Sequence, residues 1–251
     1  MKHLFSLTIL FLLIGFSNIA KSQTNTMKTQ NNTAENGTLN AKQQSIAAIS
    51  GLTAKGDLEN LKKALTSGLE AGLTVNEIKE VLVHLYAYCG FPRSLQGINT
   101  FISVLEERKK KGIKDVVGRE ATPVSSKESK YERGKKNLEI LTERVESGAK
   151  TGYAAFSPEI EVFLKEHLFA DIFDRDVLNF MDREIATISA LIALGGVEPM
   201  MQSHMAIGLN VGLSEAGLKQ ILTVIELSVG KNEADAGRKV LSNVIAARKN
   251  K

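Results

Sequence analysis

Tryptophan is absent from this 251-residue chain, and aromatic residues together make up only 6% of it. Basic residues are therefore not interleaved with stacking rings. The net charge of +4 reads as solvated helix faces plus the Lys109–Lys111 run, and no nucleic-acid partner is expected. Cysteine occurs once, as Cys89. That excludes an internal disulfide and a self-contained CxxC dithiol cycle. Strand-like alternation never persists for more than a few residues, so no sheet is expected. The few histidines form no ligand-spaced cluster, so no metal site is expected.

What is present favours helices. Ala, Leu, Ile, Glu and Lys dominate, and the predicted fold class is all-α. Lys2 and His3 precede an apolar run, Leu4 to Phe16, that is too short for a permanent span. Ala20-Lys21-Ser22 offers small residues before a cleavage point. Residues 1–22 are read as a signal peptide and 23–40 as a polar, disordered segment. The expectation is an exported protein, periplasmic or secreted, without stable membrane association after cleavage.

The remainder repeats itself. "IAAIS…GLEAGLTVNEIKEVL" (46–82) returns as "IATIS…GLNVGLSEAGLKQIL" (185–222). Gly68, Gly72, Leu73 and Gly90 recur at Gly208, Gly212, Leu213 and Gly230, an offset of about 140. Repeat 1 is assigned to residues 41–112, a connector with helices to 113–175, and repeat 2 to 176–251. Each repeat reads as four helices. In the first they run near 42–54, 57–71, 74–89 and 92–111; in the second near 176–194, 197–210, 214–229 and 233–249. Asp57, Thr74 and Ser214 are N-caps, and Thr74 with Glu77 forms a capping box. Gly72 and Gly90 stand where helices end, and Pro92 suits a first turn. Within the connector, 112–127 reads as a linker, 128–147 as a helix, 148–157 as a break and 158–167 as a second helix.

One helix carries chemistry. Glu80, His84 and Tyr88 are spaced by four, drifting only about 80° around the axis, on a helix otherwise apolar: Val81, Leu82, Val83, Leu85, Ala87. Buried polar groups must satisfy one another or face a pocket. A direct Glu80–His84 hydrogen bond would raise the His84 pKa and suit it to proton transfer. Such a pair could equally hold the core or a subunit contact. Tyr88 could donate to a substrate oxygen. The helix start after Gly90 and Pro92, with Arg93 beside it, could hold a substrate carboxylate. Repeat 2 has Gln220, Val224 and Ser228 in place of Glu80, His84 and Tyr88. The catalytic reading requires the stripe to face a hollow that solvent can reach.

The stretch "GLTVNEIKEVLVHLYAYCGFPRSLQGINTF" resembles the central motif of the carboxymuconolactone decarboxylase family, within the wider alkylhydroperoxidase D-like superfamily. The matching pattern is Glu80-x3-His84-x3-Tyr88-x-Gly90-x-Pro92. The resemblance implies an all-helical subunit that assembles into trimers or hexamers; for a chain of two tandem repeats, a homo-trimer that mimics a hexamer is expected. It implies cofactor-free loss of CO2 from a small lactone acid. It also implies a histidine on the preceding helix, which here occurs only in repeat 2, as His204; Ala64 is its counterpart. A composite site is therefore expected, with His204 joining Glu80, His84 and Tyr88. The peroxidase branch would need a second cysteine, leaving Cys89 to act singly with an external thiol on peroxides. A third reading is a non-catalytic oligomeric binding protein using the same pocket.

Overall fold

The structure is a computed structural model that describes residues 37–250. The expected signal peptide (1–22) and most of the expected polar segment (23–40) lie outside the described residues. Among these residues every regular element is helical. Repeat 1 supplies α1 (Ala41–Lys55), α2 (Leu58–Glu70) and α3 (Val75–Lys110). The connector supplies α4 (Lys130–Thr142), α5 (Gly152–Phe156), α6 (Pro158–Phe163) and a π-helix, Leu164–Ile172. Repeat 2 supplies α7 (Phe180–Leu194), α8 (Glu198–Asn210), α9 (Glu215–Ser228) and α10 (Lys231–Lys249).

The capping chemistry read from the sequence sets these boundaries. Thr74 Oγ1 accepts from the Glu77 amide at 3.2 Å, and Glu77 Oε2 accepts from the Thr74 amide at 2.7 Å. Ser214 caps α9 through the Gly217 amide. The two helices expected on either side of Gly90 run together as α3 but break there: Gly90 has φ 78° and ψ 161°. Only glycine takes that conformation without strain, so the chain turns sharply after Cys89 and Pro92 starts the second half.

Both repeats contribute to one hydrophobic core. Ile46, Ile49, Leu61, Ile78 and Leu82 of the first share it with Ile185, Ile188, Ile192, Leu218 and Ile221 of the second. Each such side chain contributes roughly 1.5–3 kcal/mol on burial. The centre is the packing of α1 on α7. Around it the arrangement is reciprocal, since α3 packs on α7 and α9 packs on α1.

Several boundaries differ from expectation. Residues 37–40 are not disordered: Leu39 is buried and donates its amide to Gln220 Oε1, and Ser214 Oγ donates to the Gly37 carbonyl. The 112–127 linker is a fixed strap. Its Val116 and Val117 carbonyls accept the Val75 and Asn76 amides, each at 2.9 Å, satisfying N–H groups that a helix start leaves open. The connector helix at 128–147 stops at Thr142, and Glu143 ends it at φ 53°. The break at 148–157 contains α5, and the helix expected at 158–167 passes into the π-helix instead. Repeat 2 starts its first helix at Phe180, because Asn179 caps it, while Asp176 is held by Thr122 and Arg119.

The connector packs as a unit. A Cβ on Gly134 would lie 1.8 Å from the Lys165 carbonyl oxygen, so α4 and the π-helix touch backbone to backbone. Lys165 is buried with Glu161, Glu146 and Tyr131 around its ammonium group. A second apolar cluster, Leu141, Leu168, Phe169, Ile172 and Phe173, then lies against Tyr86 and Tyr88 of α3.

Candidate active site

Glu80, His84 and Tyr88 do share a face of α3, and that face meets α7, whose polar side chains complete the cluster. Arg183, Glu184 and Thr187 lie on consecutive turns of α7, and all three are buried. Arg175, just before α7, comes from the end of the connector.

The expected Glu80–His84 hydrogen bond is not made. Glu80, 2% exposed, is bound by two guanidinium groups. Arg183 Nη2 donates to Oε1 at 2.8 Å, and Arg175 spans both oxygens through Nε at 3.0 Å, with Nη2 2.9 Å from Oε2. Arg183 Nη2 also donates to the Arg175 carbonyl. A forked contact from Arg175 and a single one from Arg183 on the same carboxylate form a strong charge-assisted arrangement.

His84 is wholly buried, and its neighbours are a cation and a hydroxyl. Nδ1 lies 3.3 Å from Arg183 Nη1, and Nε2 lies 2.8 Å from Thr187 Oγ1. The expected upward pKa shift is reversed. Burial first, then the positive charge of Arg183 and the presence of His204, push His84 well below its ordinary value, against a backbone hydrogen bond with Arg183. His84 is therefore a neutral imidazole at pH 7.

The carboxylate–imidazole pair of the site is Glu184 with His204. His204 Nδ1 lies 2.8 Å from Glu184 Oε2. His204 and the α3 stripe meet within one chain, through Tyr88. The Tyr88 ring stands between the two histidines, 5.1 Å from the His84 ring and 5.3 Å, edge-on, from that of His204. Tyr88 Oη and Glu184 Oε1 are buried without a hydrogen-bond partner, and so is Arg183 Nε. Burial, followed by the negative charge of Glu184, raises the Tyr88 pKa, which keeps the phenol protonated as a donor.

The other candidates fall elsewhere. Arg93 packs over Gly56, where a Cβ would lie 1.5 Å from Nη1, at the end of α1. It is not in contact with the cluster, because the turn at Gly90 redirects the chain. Gly90 and Pro92 are exposed at that turn. Cys89 Sγ donates to the Leu85 carbonyl at 3.1 Å, and burial pushes the thiol up to about 11 despite the opposing charge of Arg93. Among the described residues no group of three or more His, Cys, Asp or Glu could hold a metal ion, and no helix is long and apolar enough to cross a membrane.

The cluster is also more closed than the sequence suggested. Phe173 packs edge-on against His84, with ring centroids 5.5 Å apart, and under the Arg183 guanidinium. The side chains of His204, 12% exposed, and Arg175, 42% exposed, reach solvent. A cleft of about 650 Å³ is lined by Glu198, Gln202, Asp235 and Lys239. Another of about 620 Å³ is lined by Arg144, Gln202, Ser203 and Arg248. Neither is lined by the cluster, whose α3 stripe meets Phe173 and the α7 side chains instead of the solvent-reachable hollow expected of it.

Sequence reasoning missed Arg175, Arg183, Glu184 and Thr187. A signal existed: between the repeated segments, α1 has Gln44, Ser45 and Ala48 where α7 has Arg183, Glu184 and Thr187. The polar gain on α7 mirrors the polar gain on α3. Comparison with curated proteins finds no match. The family model described as the carboxymuconolactone decarboxylase family matches residues 20–100 and 158–243. The matched stretches carry both halves of the cluster, Glu80 to Tyr88 in one and Arg175 to His204 in the other, and the chain belongs to the carboxymuconolactone decarboxylase family.

Proposed function

We propose that the protein is a cofactor-free acid/base enzyme acting on a small carboxylate or lactone. The observation that carries this reading is the Glu184–His204 pair set edge-on to Tyr88 beside a neutral His84. An ionised carboxylate can only accept, so His204 Nδ1 carries a hydrogen and Nε2 is the nitrogen available for proton transfer. This transfers to His204 the role that the sequence suggested for His84.

In loss of CO2 from a lactone acid, the bond from ring carbon to carboxylate breaks. Its electron pair passes to the conjugated carbonyl. Tyr88 Oη would stabilise that developing oxyanion by hydrogen bonding, and His204 Nε2, having first taken a proton from solvent, would deliver it to carbon in place of the departing CO2. Glu80 serves the site differently: held by Arg175 and Arg183, it fixes Arg183 against His84. Entry of a substrate requires the half-exposed Arg175 and the neighbouring Phe173 to move, since both close the cluster.

The Lys2–Ser22 leader supports export, away from cytoplasmic ring-cleavage intermediates, so the substrate is read as a different small acid. Association with further copies of the chain belongs to the same proposal. Exposed Phe91, Phe156 and Phe163 offer apolar surface for it. The raised thiol of Cys89 speaks against the peroxide reading.

The test is a panel of carboxy-substituted lactones and 2-unsaturated small acids, with CO2 release and proton exchange at carbon as readouts. Turnover by the wild type that drops about 100-fold or more in both His204→Asn and Tyr88→Phe is the expected result. Turnover unaffected by His204→Asn would overturn the assignment.

A further inference from the structure

The hydrogens of the cluster can be assigned from its heavy atoms. A guanidinium group has only donors, so His84 Nδ1, 3.3 Å from Arg183 Nη1, accepts. A neutral imidazole has one N–H, which must then be on Nε2. Nε2 lies 2.8 Å from Thr187 Oγ1, with the Arg183 carbonyl as a second acceptor for the same hydrogen, so Thr187 accepts and must place its own hydrogen elsewhere.

The usual place is the carbonyl one helical turn back. Thr53, Thr66, Thr100, Thr142 and Thr223 all do this. Among the described residues, no such bond joins Thr187 to the Arg183 carbonyl. The neighbouring acceptor is Tyr88 Oη: it is buried and makes no fully formed hydrogen bond, yet the Thr187 hydroxyl is close enough to act on it, opposing the upward pull of burial on the phenol. The counterparts of these residues in the opposite seam are Gln44, Val224, Ala48 and Ser228, so that seam lacks this set of groups at every step.

We propose that Thr187 is a positioning residue: its hydroxyl accepts from His84 Nε2–H and turns its hydrogen to Tyr88 Oη, leaving the Tyr88 hydrogen for a ligand oxygen. The direction is imposed at one end by Arg183, which cannot accept, and runs through His84 and Thr187 to Tyr88. The groups facing this line are Arg183, Glu184 and Thr187 from α7, His204 from α8, Phe173 from the connector and Glu80 from the same helix. No bond is made or broken; the device fixes which oxygen donates. It rests on the proposed acid/base reading for its use, but not for its geometry.

The experiment uses the full chain with 15N-labelled histidine and 13Cζ-labelled tyrosine, assigned with His3→Gln, His167→Gln, His204→Asn and Tyr88→Phe. The expected result is a His84 ring that stays neutral with its hydrogen on Nε2 from pH 5.5 to 8.5. Thr187→Val should shift the Tyr88 Cζ signal, and Thr187→Ser should restore it. A His84 ring carrying its hydrogen on Nδ1 would overturn the proposal. So would a Tyr88 signal unmoved by Thr187→Val in a variant whose far-UV spectrum is native.

Turnover of a lactone acid separates the two claims. Thr187→Val should lower kcat about 100-fold with little change in KM, and Thr187→Ser should recover it. A wild type without turnover but with the expected spectra removes the enzyme reading and keeps the relay. Turnover with kcat unchanged in Thr187→Val removes the relay and keeps the enzyme.

Discussion

The seam where α3 meets α7 and the seam where α9 meets α1 are built on the same repeated backbone but filled with opposite chemistry. The first buries Glu80, Arg183 and Glu184, three groups that can carry charge, together with His84 and Thr187. The second has Gln220, Val224 and Ser228 opposite Gln44, Ser45 and Ala48. Its polar groups are satisfied by nearby backbone: Gln220 accepts from the Leu39 amide at 2.7 Å, Ser228 donates to the Val224 carbonyl, and Ser45 donates to the Ala41 carbonyl. The fold therefore does not need the buried charges. They cost desolvation, and their presence on one seam alone is what the proposed function builds on.

The largest expected difference between the seams is in stability. Glu80→Ala leaves Arg183 buried without its carboxylate and should cost about 3–5 kcal/mol. Gln220→Ala, at the equivalent position, removes one backbone-directed hydrogen bond and should cost about 0.5–1.5 kcal/mol. Urea unfolding of the two variants checks this, and equal losses would erase the distinction.

The next difference is in pH dependence. His84 titrates well below its ordinary value when folded but near 6.5 when unfolded. The unfolded chain then binds the extra proton, so His84's contribution is intact above about pH 6.5 and is lost as the pH falls below it, by up to about 1.4 kcal/mol per pH unit. His84→Val should flatten the urea midpoint between pH 6.5 and 5. Two acid-linked groups act lower. Burial opposes ionisation of Glu161 and Asp176. Hydrogen bonds from Lys150, Lys165 and Tyr131 to the first, and from Thr122 and Arg119 to the second, nevertheless hold each at about 2. Their contributions fade only below their unfolded values.

A smaller effect is expected from Arg175→Ala. Its guanidinium is half in solvent, so the loss should be about 1 kcal/mol or less, while Glu80 becomes accessible. Faster amide exchange in α3 near Glu80, measured against α9 near Gln220, would report that opening.

The smallest signal concerns Cys89. With its thiol pushed up to about 11, alkylation of the folded protein at pH 8 should be far slower than that of the urea-unfolded chain. Comparable rates would revive the single-thiol reading.

Much of this comparison was legible in the amino-acid sequence, because helix periodicity and capping act locally. Thr74, Ser214 and Gly90 mark element ends through bonds and dihedral angles within a few residues of themselves. The stripe of Glu80, His84 and Tyr88 was legible because an apolar helix leaves polar side chains conspicuous. Their partners were not. Arg183 and Glu184 follow Asp182 in the first turns of α7, where a charged run looks like a solvated helix start. Pairing them with Glu80 and His204 requires knowing that α7 crosses α3. The pairing also reversed the expected pKa shift of His84, since the nearest charge proved to be a guanidinium. Arg175 was hidden by the connector, where α6 gives way to a π-helix and local periodicity fails.

The strap from Gly112 onward binds the start of α3 through Val116 and Val117 and reaches Asp176, beside Arg175, through Arg119 and Thr122. It makes one covalent chain of two halves that otherwise face each other almost as identical partners. In a pair of separate, identical subunits, any substitution would strike both seams together, and neither could be relieved of its ionic groups alone. Joined head to tail, the halves are free to diverge: one interface can shed its costly charges and serve as scaffold while the other keeps them.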